Sequence, residues 1–189
     1  MAEIVSPVNG FIQARNYTAA SRQDPSVIVI HRMESALKPG TANAVAHWFA
    51  GKDAPQASAH YCVDAEQVIQ CVIEKDVAWG APGMNRCGIH LEHAGWSKDN
   101  DWGTDNGQTM LRLSAQLSAD ICSRNGIALK WLSDQEIRSA SKGDVTVRGF
   151  CTHADVTRAL ATYGGHTDPG SAFPRDQYLG LVQSFLMPP

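Results

Sequence analysis

The chain has 189 residues, 43% of them hydrophobic and 19% charged, a composition that suits one globular domain and excludes a disordered tract. Sixteen Lys and Arg against nineteen Asp and Glu leave a formal charge of −3, so there is no basic field to hold nucleic acid or anionic lipid. No run of about 18 apolar residues occurs, which excludes a transmembrane helix, and the opening MAEIVSPVNG lacks the regions of a secretory signal.

Residues 1–26 are polar and contain Pro7, Gly10 and Pro25, which predicts an extended arm. Val27-Ile28-Val29-Ile30-His31 is a β-branched run, predicting a strand buried on both faces that ends in a histidine. After the Pro39-Gly40 turn, Ala44, Val45, Trp48 and Phe49 recur at helical spacing, predicting a helix capped by Thr41 and running through Phe49. Ala57–Val63 and Gln67–Ile73 read as a hairpin joined by Asp64-Ala65-Glu66, and Cys87–Glu92 as another strand. Residues 95–107, rich in Gly, Asn and Asp, carry Trp96 and Trp102 in a loop long enough to form a binding rim. Met110, Leu113, Leu117 and Ile121 line one face of the clearest helix, Gly107–Asn125, with Gly126 as its stop. Val145–Cys151 reads as a short strand, Arg158–Gly165 as a loop and Pro174–Met187 as a closing helix with proline at its start. Strands and helices mix without strict alternation, so the expected class is α/β, a central mixed β-sheet flanked by helices. The domain then spans residues 27–187, with Pro188-Pro189 either the start of a linker or the end of the chain.

The five cysteines are odd in number, scattered and without a CxxC pair, which predicts buried free thiols in a reducing compartment. Cys151 or Cys87 beside a histidine would suit nucleophilic catalysis, but no local signature supports it, and a buried structural role is the simpler reading. The seven histidines say more by placement than by number. His31 ends a strand, His60 lies in Ser58-Ala59-His60-Tyr61, His90 and His93 flank Glu92, His153 follows a strand, and His166 precedes Asp168-Pro169-Gly170. Imidazoles at strand ends project into one cleft in sheet-based folds, and a catalytic zinc takes three N or O ligands while leaving a position for water. Spacing alone gives no HExxH signature, and a lone strand histidine is more often a satisfied core residue than a ligand.

Taken in order, Val29-Ile30-His31, Ser58-Ala59-His60-Tyr61, Ala78-Trp79-Gly80-Ala81, Cys87-Gly88-Ile89-His90-Leu91-Glu92, Thr152-His153-Ala154-Asp155 and Thr167-Asp168-Pro169-Gly170-Ser171-Ala172-Phe173-Pro174 resemble the type-2 N-acetylmuramoyl-L-alanine amidases. That superfamily includes phage endolysins, bacterial wall-recycling amidases and peptidoglycan recognition proteins. The resemblance runs from Val27 to the last helix and is most specific in the closing Asp-Pro-Gly stretch. It implies a Zn2+ hydrolase that cuts the amide between N-acetylmuramic acid and the L-alanine of the stem peptide, with His31, His153 and Asp168 as metal ligands. Two departures follow. Relatives of the recycling type carry glutamate where this chain has His90, and its own glutamate comes two residues later at Glu92; the two share a strand face, so either is a candidate base. Many relatives carry lysine where this chain has His166, which would polarise the carbonyl, protonate the leaving amine or bind metal itself. His60 is a candidate either for substrate contact or for supporting the sheet beside the site, and Trp79 is a candidate substrate contact.

The expectation is a phage-type endolysin catalytic domain, made in the cytoplasm and acting on the wall after release. It would work as a monomer on peptidoglycan, without nucleic acid or membrane. The rival readings are a non-catalytic recognition module of the same fold and a zinc peptidase acting within the stem peptide.

Overall fold

A computed structural model describes residues 6–19, 24–161 and 165–187; Pro188-Pro189 lies outside the described residues. The elements in chain order are β1 (Val8–Phe11), β2 (Tyr17–Thr18), β3 (Val27–Arg32), α1 (Thr41–Ala50), β4 (Tyr61–Val63), β5 (Val68–Gln70), β6 (Val77–Ala78), β7 (Gly88–His93), α2 (Asp105–Asn125), α3 (Asp134–Ser141), β8 (Gly149–Thr152), α4 (His153–Leu160) and α5 (Arg175–Leu186). The main sheet runs β1-β5-β4-β7-β3-β8, and β2 pairs with β6 in a two-stranded ribbon. Strands β4, β7, β3 and β8 are mutually parallel, β5 is antiparallel to β4, and β1 is parallel to β5. The expected mixed sheet flanked by helices is present.

Every residue of β3 is buried, as its uninterrupted β-branched run requires of a strand covered on both sides. Alternate side chains sort into two cores. Ile28, Ile30, Ile89, Leu91 and Phe150 pack beneath α2 and α5. On the other face, Cys62 and Ile69 lie under α1 through Ala42, Ala46 and Phe49. Val29 and Cys151 lie under α3 and α4 through Ile137, Ala140, Val156 and Ala159. Between those two covered patches run the upper ends of β3 and β7. His31 pairs with Glu92 and Val29 with His90, so His31, His90 and Glu92 share this face and enter the crevice between α1 and α4.

Several boundaries differ from the sequence expectation. The arm contributes β1 to the sheet edge, where Asn9 Oδ1 accepts from Val68 N at 2.7 Å. The cap of α1 is Gly40, at φ 84°, while the Thr41 hydroxyl donates to Ala36 O at 2.9 Å. Strand β4 begins four residues later than expected. The hairpin is closed by Asp64, whose Oδ1 accepts from both Glu66 N and Gln67 N in place of an Asn-Gly turn. Helix α2 starts two residues earlier because Thr104 Oγ1 accepts from Gly107 N, and it stops at Gly126 as expected. Strand β8 is shifted toward His153, α3 and α4 are additional helices, and Pro174 caps α5 rather than opening it.

Candidate metal centre

Three distant segments deliver one cluster. His31 stands at the end of β3, His153 is the first residue of α4, and Asp168 lies on the loop between α4 and α5. Parallel strands end on one side of a sheet, so the residues leaving β3 and β8 arrive together. The turn at His153 is fixed by a reciprocal cap. Thr152 N donates to Asp155 Oδ2 at 2.9 Å, and Asp155 N donates to Thr152 Oγ1 at 3.2 Å. Asp155 therefore closes the helix rather than joining the cluster, and its other partners are Arg158 and Arg175. Asp168 is tied in by its own carbonyl, which accepts from Ala154 N at 2.9 Å.

The donor atoms converge closely. His31 Nδ1 is 3.2 Å from both His153 Nδ1 and Asp168 Oδ2, and His153 Nδ1 is 3.2 Å from Asp168 Oδ1. Ligands at about 2.0–2.1 Å from a tetrahedral ion stand about 3.3 Å apart, and one donor atom from each of the three residues lies within 4.8 Å of the others, so together they could hold a metal. The charges also agree. Burial pushes the His31 imidazolium toward its neutral form, and although burial alone would raise the Asp168 carboxyl, the His153 and His31 rings hold it well below the usual carboxylate range. An imidazole kept neutral by burial at His31, the imidazole nitrogen of His153 and an ionised carboxylate at Asp168 make a donor set suited to a dication.

His166 stacks on His153 with centroids 3.9 Å apart, and its Nδ1 lies 3.7 Å from Asp168 Oδ1. It is half exposed, and burial followed by His153 lowers its pKa. Glu92, opposite His31 in register, has one carboxyl oxygen buried with no hydrogen-bond partner, and burial, Asp168 and Glu34 push it up to about 8. His90 stands behind His31, with Nδ1 2.9 Å from His31 Nε2. His60 is buried one layer further back. Its Nδ1 accepts from His90 N at 3.0 Å, its Nε2 donates to the Asp76 carbonyl at 3.2 Å, and its ring lies parallel to that of His90. With no exposed surface, His60 supports the sheet and is corrected as a substrate contact.

The rim is more open. Trp79 keeps 36% of its surface exposed while its Nε1 donates to Thr18 Oγ1. Trp96 is 40% exposed, whereas Trp102 is core, edge-on to Phe173 and beneath the Arg32 guanidinium. Arg32 also pairs with Asp101, which pins the rim loop. At Gly170, φ is 90° and any Cβ would collide with Ser97 O, so the Asp-Pro-Gly loop and the rim loop touch only because glycine stands there. Sequence reasoning missed this clasp; Arg32, a charge at the end of a buried strand, was its visible sign. A cleft of about 760 Å3 opens beside the cluster, lined in part by Lys98, Arg158, His166, Thr167 and Arg175. Cys151 is in the core, and burial pushes its thiol well up, which suits packing and not nucleophilic attack.

A family model described as N-acetylmuramoyl-L-alanine amidase (Amidase_2) matches residues 21–171. N-acetylmuramoyl-L-alanine amidase A of Achromobacter lyticus is 31% identical over 178 residues, covering 88% of each chain. Among solved structures, the Staphylococcus aureus hydrolase AmiA in complex with its ligand superposes with a TM-score of 0.70 at 17% identity, over 95% of this chain and 82% of that one. A mutant endolysin from Bacillus subtilis gives 0.59 at 16% identity, over 93% and 99%. At such identities the two structures share the fold.

Proposed function

The chain belongs to the N-acetylmuramoyl-L-alanine amidase family, and from that membership we propose that it is a zinc-dependent peptidoglycan hydrolase. It cleaves the amide between N-acetylmuramic acid and L-alanine. The observation that carries the zinc requirement is the convergence of the two Nδ1 atoms of His31 and His153, 3.2 Å apart, on the Asp168 carboxylate, one oxygen 3.2 Å from each. Zinc bound there supplies Lewis acidity, polarising a carbonyl and acidifying a water molecule at neutral pH.

The chain's own residues divide the remaining work. Glu92 is the general base. Its partnerless oxygen sits on the same face as His31; as the carboxylate it takes a proton from the attacking water, and as the resulting acid it hands that proton to the leaving amine. His166, half exposed over His153 and beside the cleft, donates an N–H to the oxygen of the scissile carbonyl as negative charge develops on it. His90 lies behind His31 and does not serve as base. Trp79 and Trp96 offer exposed aromatic faces to glycan or stem peptide. All three ligands come from one chain, which suits a monomeric catalytic domain, and that domain takes in the arm through β1 at the sheet edge and β2 beside β6. No helix among the described residues is long and apolar enough to cross a membrane. The reading extends to a phage-type lytic enzyme that meets the wall after release from the cytoplasm.

Mass spectrometry of the amino termini created in digested wall tests this. A new L-alanine amine is expected. An amine within the stem peptide would make the chain a zinc peptidase, and retention on wall without any new amine would make it a recognition module. Elemental analysis should find about one zinc per chain, with His31→Ala losing both metal and turnover. A zinc-free preparation with full activity overturns the zinc requirement.

A further inference from the structure

We propose that His90 is a positioning residue for the metal centre, holding ligand His31 in its metal-binding tautomer by accepting a hydrogen bond from Nε2. The inference rests on the zinc reading above and adds an element behind the ligands.

The cluster is approached through Nδ1 of His31. A cation there needs the Nδ1 lone pair, which leaves the ring proton on Nε2, buried with the rest of His31 at 1% exposure. His90 Nδ1 stands 2.9 Å from that Nε2. His90 must then present a lone pair at Nδ1 and carry its own proton on Nε2. Metal-bound histidines usually donate the second N–H to a carboxylate, a carbonyl or water; here a second neutral imidazole takes that place. It orients His31 without adding negative charge to a ligand set that already contains Asp168.

The surroundings of His90 are built to keep that ring where it is. His60 lies parallel to it, with centroids 5.7 Å apart and planes 9° apart. His60 is itself confined to one tautomer, because its Nδ1 accepts from His90 N while its Nε2 donates to the Asp76 carbonyl. Against the ring of His90 comes Gly80, where a Cβ would stand 2.6 Å from both Cγ and Nδ1 of His90. Gly80 does not have a left-handed φ, so glycine is needed there for room and not for backbone conformation. Gly88 closes the slot, its Cβ position falling 3.1 Å from His90 Nε2. Two glycines and a stacked imidazole thus fix a ring whose Nδ1 faces the back of a ligand.

The experiment measures zinc affinity by chelator competition, and the His31 tautomer by the 15N shifts of its ring, in wild type, His90→Leu, His90→Asn and Gly80→Ala. His90→Leu fills similar volume without an acceptor and should weaken zinc about 10–100-fold, the usual cost of losing such a partner. His90→Asn, whose Oδ1 falls near the place of Nδ1, should stay within about threefold of wild type on the same scale. Gly80→Ala touches neither metal nor ligand, yet should weaken zinc in the same direction as His90→Leu by displacing the ring. A residue needed only for packing would change the melting temperature of the zinc-free variants and leave these affinities level. Zinc affinity unchanged in His90→Leu, or lost equally in His90→Asn, overturns the proposal; if His90→Leu does not fold, the Asn and Gly80 variants decide alone. Wild type that binds no zinc would overturn the zinc reading itself, and this inference with it.

Discussion

Strand β7 carries two buried histidines, three residues apart, that approach His31 from opposite faces of the sheet. His90 meets the His31 ring in the crevice. His93, on the face covered by α2 and α5, donates from Nδ1 to the His31 carbonyl at 3.1 Å, and its Nε2 accepts from Ser114 Oγ at 2.6 Å. The chain continues through Ser114 to the Tyr178 hydroxyl at 2.7 Å, and Ser118 closes it at 2.8 Å. On the helix-covered face, sheet and helices supply a partner for each ring nitrogen of His93, and the network joins β3 to α2 and α5. Nothing in it is left to meet a ligand. On the crevice face, the polar atoms of His31, His153, Asp168 and Glu92 point at one another or at nothing, an arrangement that costs stability unless a cation and substrate complete it. Burial and residue type are the same for His90 and His93; what separates function from stability is where the remaining lone pairs point.

That contrast makes the crevice face the place where substitutions should cost turnover with little loss of fold. The largest effect falls on the group held partnerless. Glu92→Gln keeps shape and the proposed zinc ligands while removing the proposed base, so turnover should drop about 10²–10⁴-fold. Zinc content and melting temperature should stay near wild type. Full turnover in this variant would move the base elsewhere and leave the raised Glu92 carboxyl without a role. The next effect falls at the half-exposed edge. His166→Ala should lower kcat about 10²–10³-fold, as the loss of one oxyanion donor does, with zinc retained. If it releases zinc instead, His166 is a ligand and the contrast between cluster and rim fails there.

The two faces also differ in how much the sequence foretold. Helix α2 and strand β3 were legible because a single strong period governs each: Met110, Leu113, Leu117 and Ile121 on one stripe, and an unbroken β-branched run. Strand β1 was not, since four residues that alternate between half-buried and exposed become a strand only by pairing with β5, a contact made 59 or 60 residues later in the chain. Helices α3 and α4 are marked in the sequence by reciprocal caps, Ser133 with Glu136 and Thr152 with Asp155. At the site, residue chemistry alone supplied strand-end histidines, and family resemblance supplied the three candidate ligands. Neither separated His90 from His93, nor Glu92 from either, because their surroundings depend on the β3–β7 register and on which helices cover which face. His60 misled for the same reason: the Ser-Ala-His-Tyr motif places it beside the site, while sheet layering puts it behind His90.

The smallest expected effect, on zinc-free protein, tests the helix-covered face. Burial holds the His93 imidazolium down to about 3, against 6.5 for a free ring. Between those two values the unfolded chain takes up a proton that the folded chain refuses, so His93 makes stability fall as the pH drops through this window and leaves it level above about 6.5. The slope attributable to one such proton is about 1.4 kcal/mol per pH unit. His31, also lowered by burial, contributes in the same direction, so the quantity to measure is the difference between wild type and His93→Gln in urea unfolding from pH 7 to pH 4. The variant should be less stable at pH 7 by about 1–3 kcal/mol, the cost of leaving a buried hydrogen-bonding group such as Ser114 Oγ without its partner. Its disadvantage should shrink steadily as the solution is acidified, because the proton-linked penalty is gone. Zinc affinity should fall far less than in His90→Leu, since His93 holds the backbone of His31 and not the ring that would bind the metal. A His93→Gln variant with a pH slope identical to wild type would mean that His93 is not the group refusing the proton. One that lost zinc as sharply as His90→Leu would erase the division of labour between the two faces of β7.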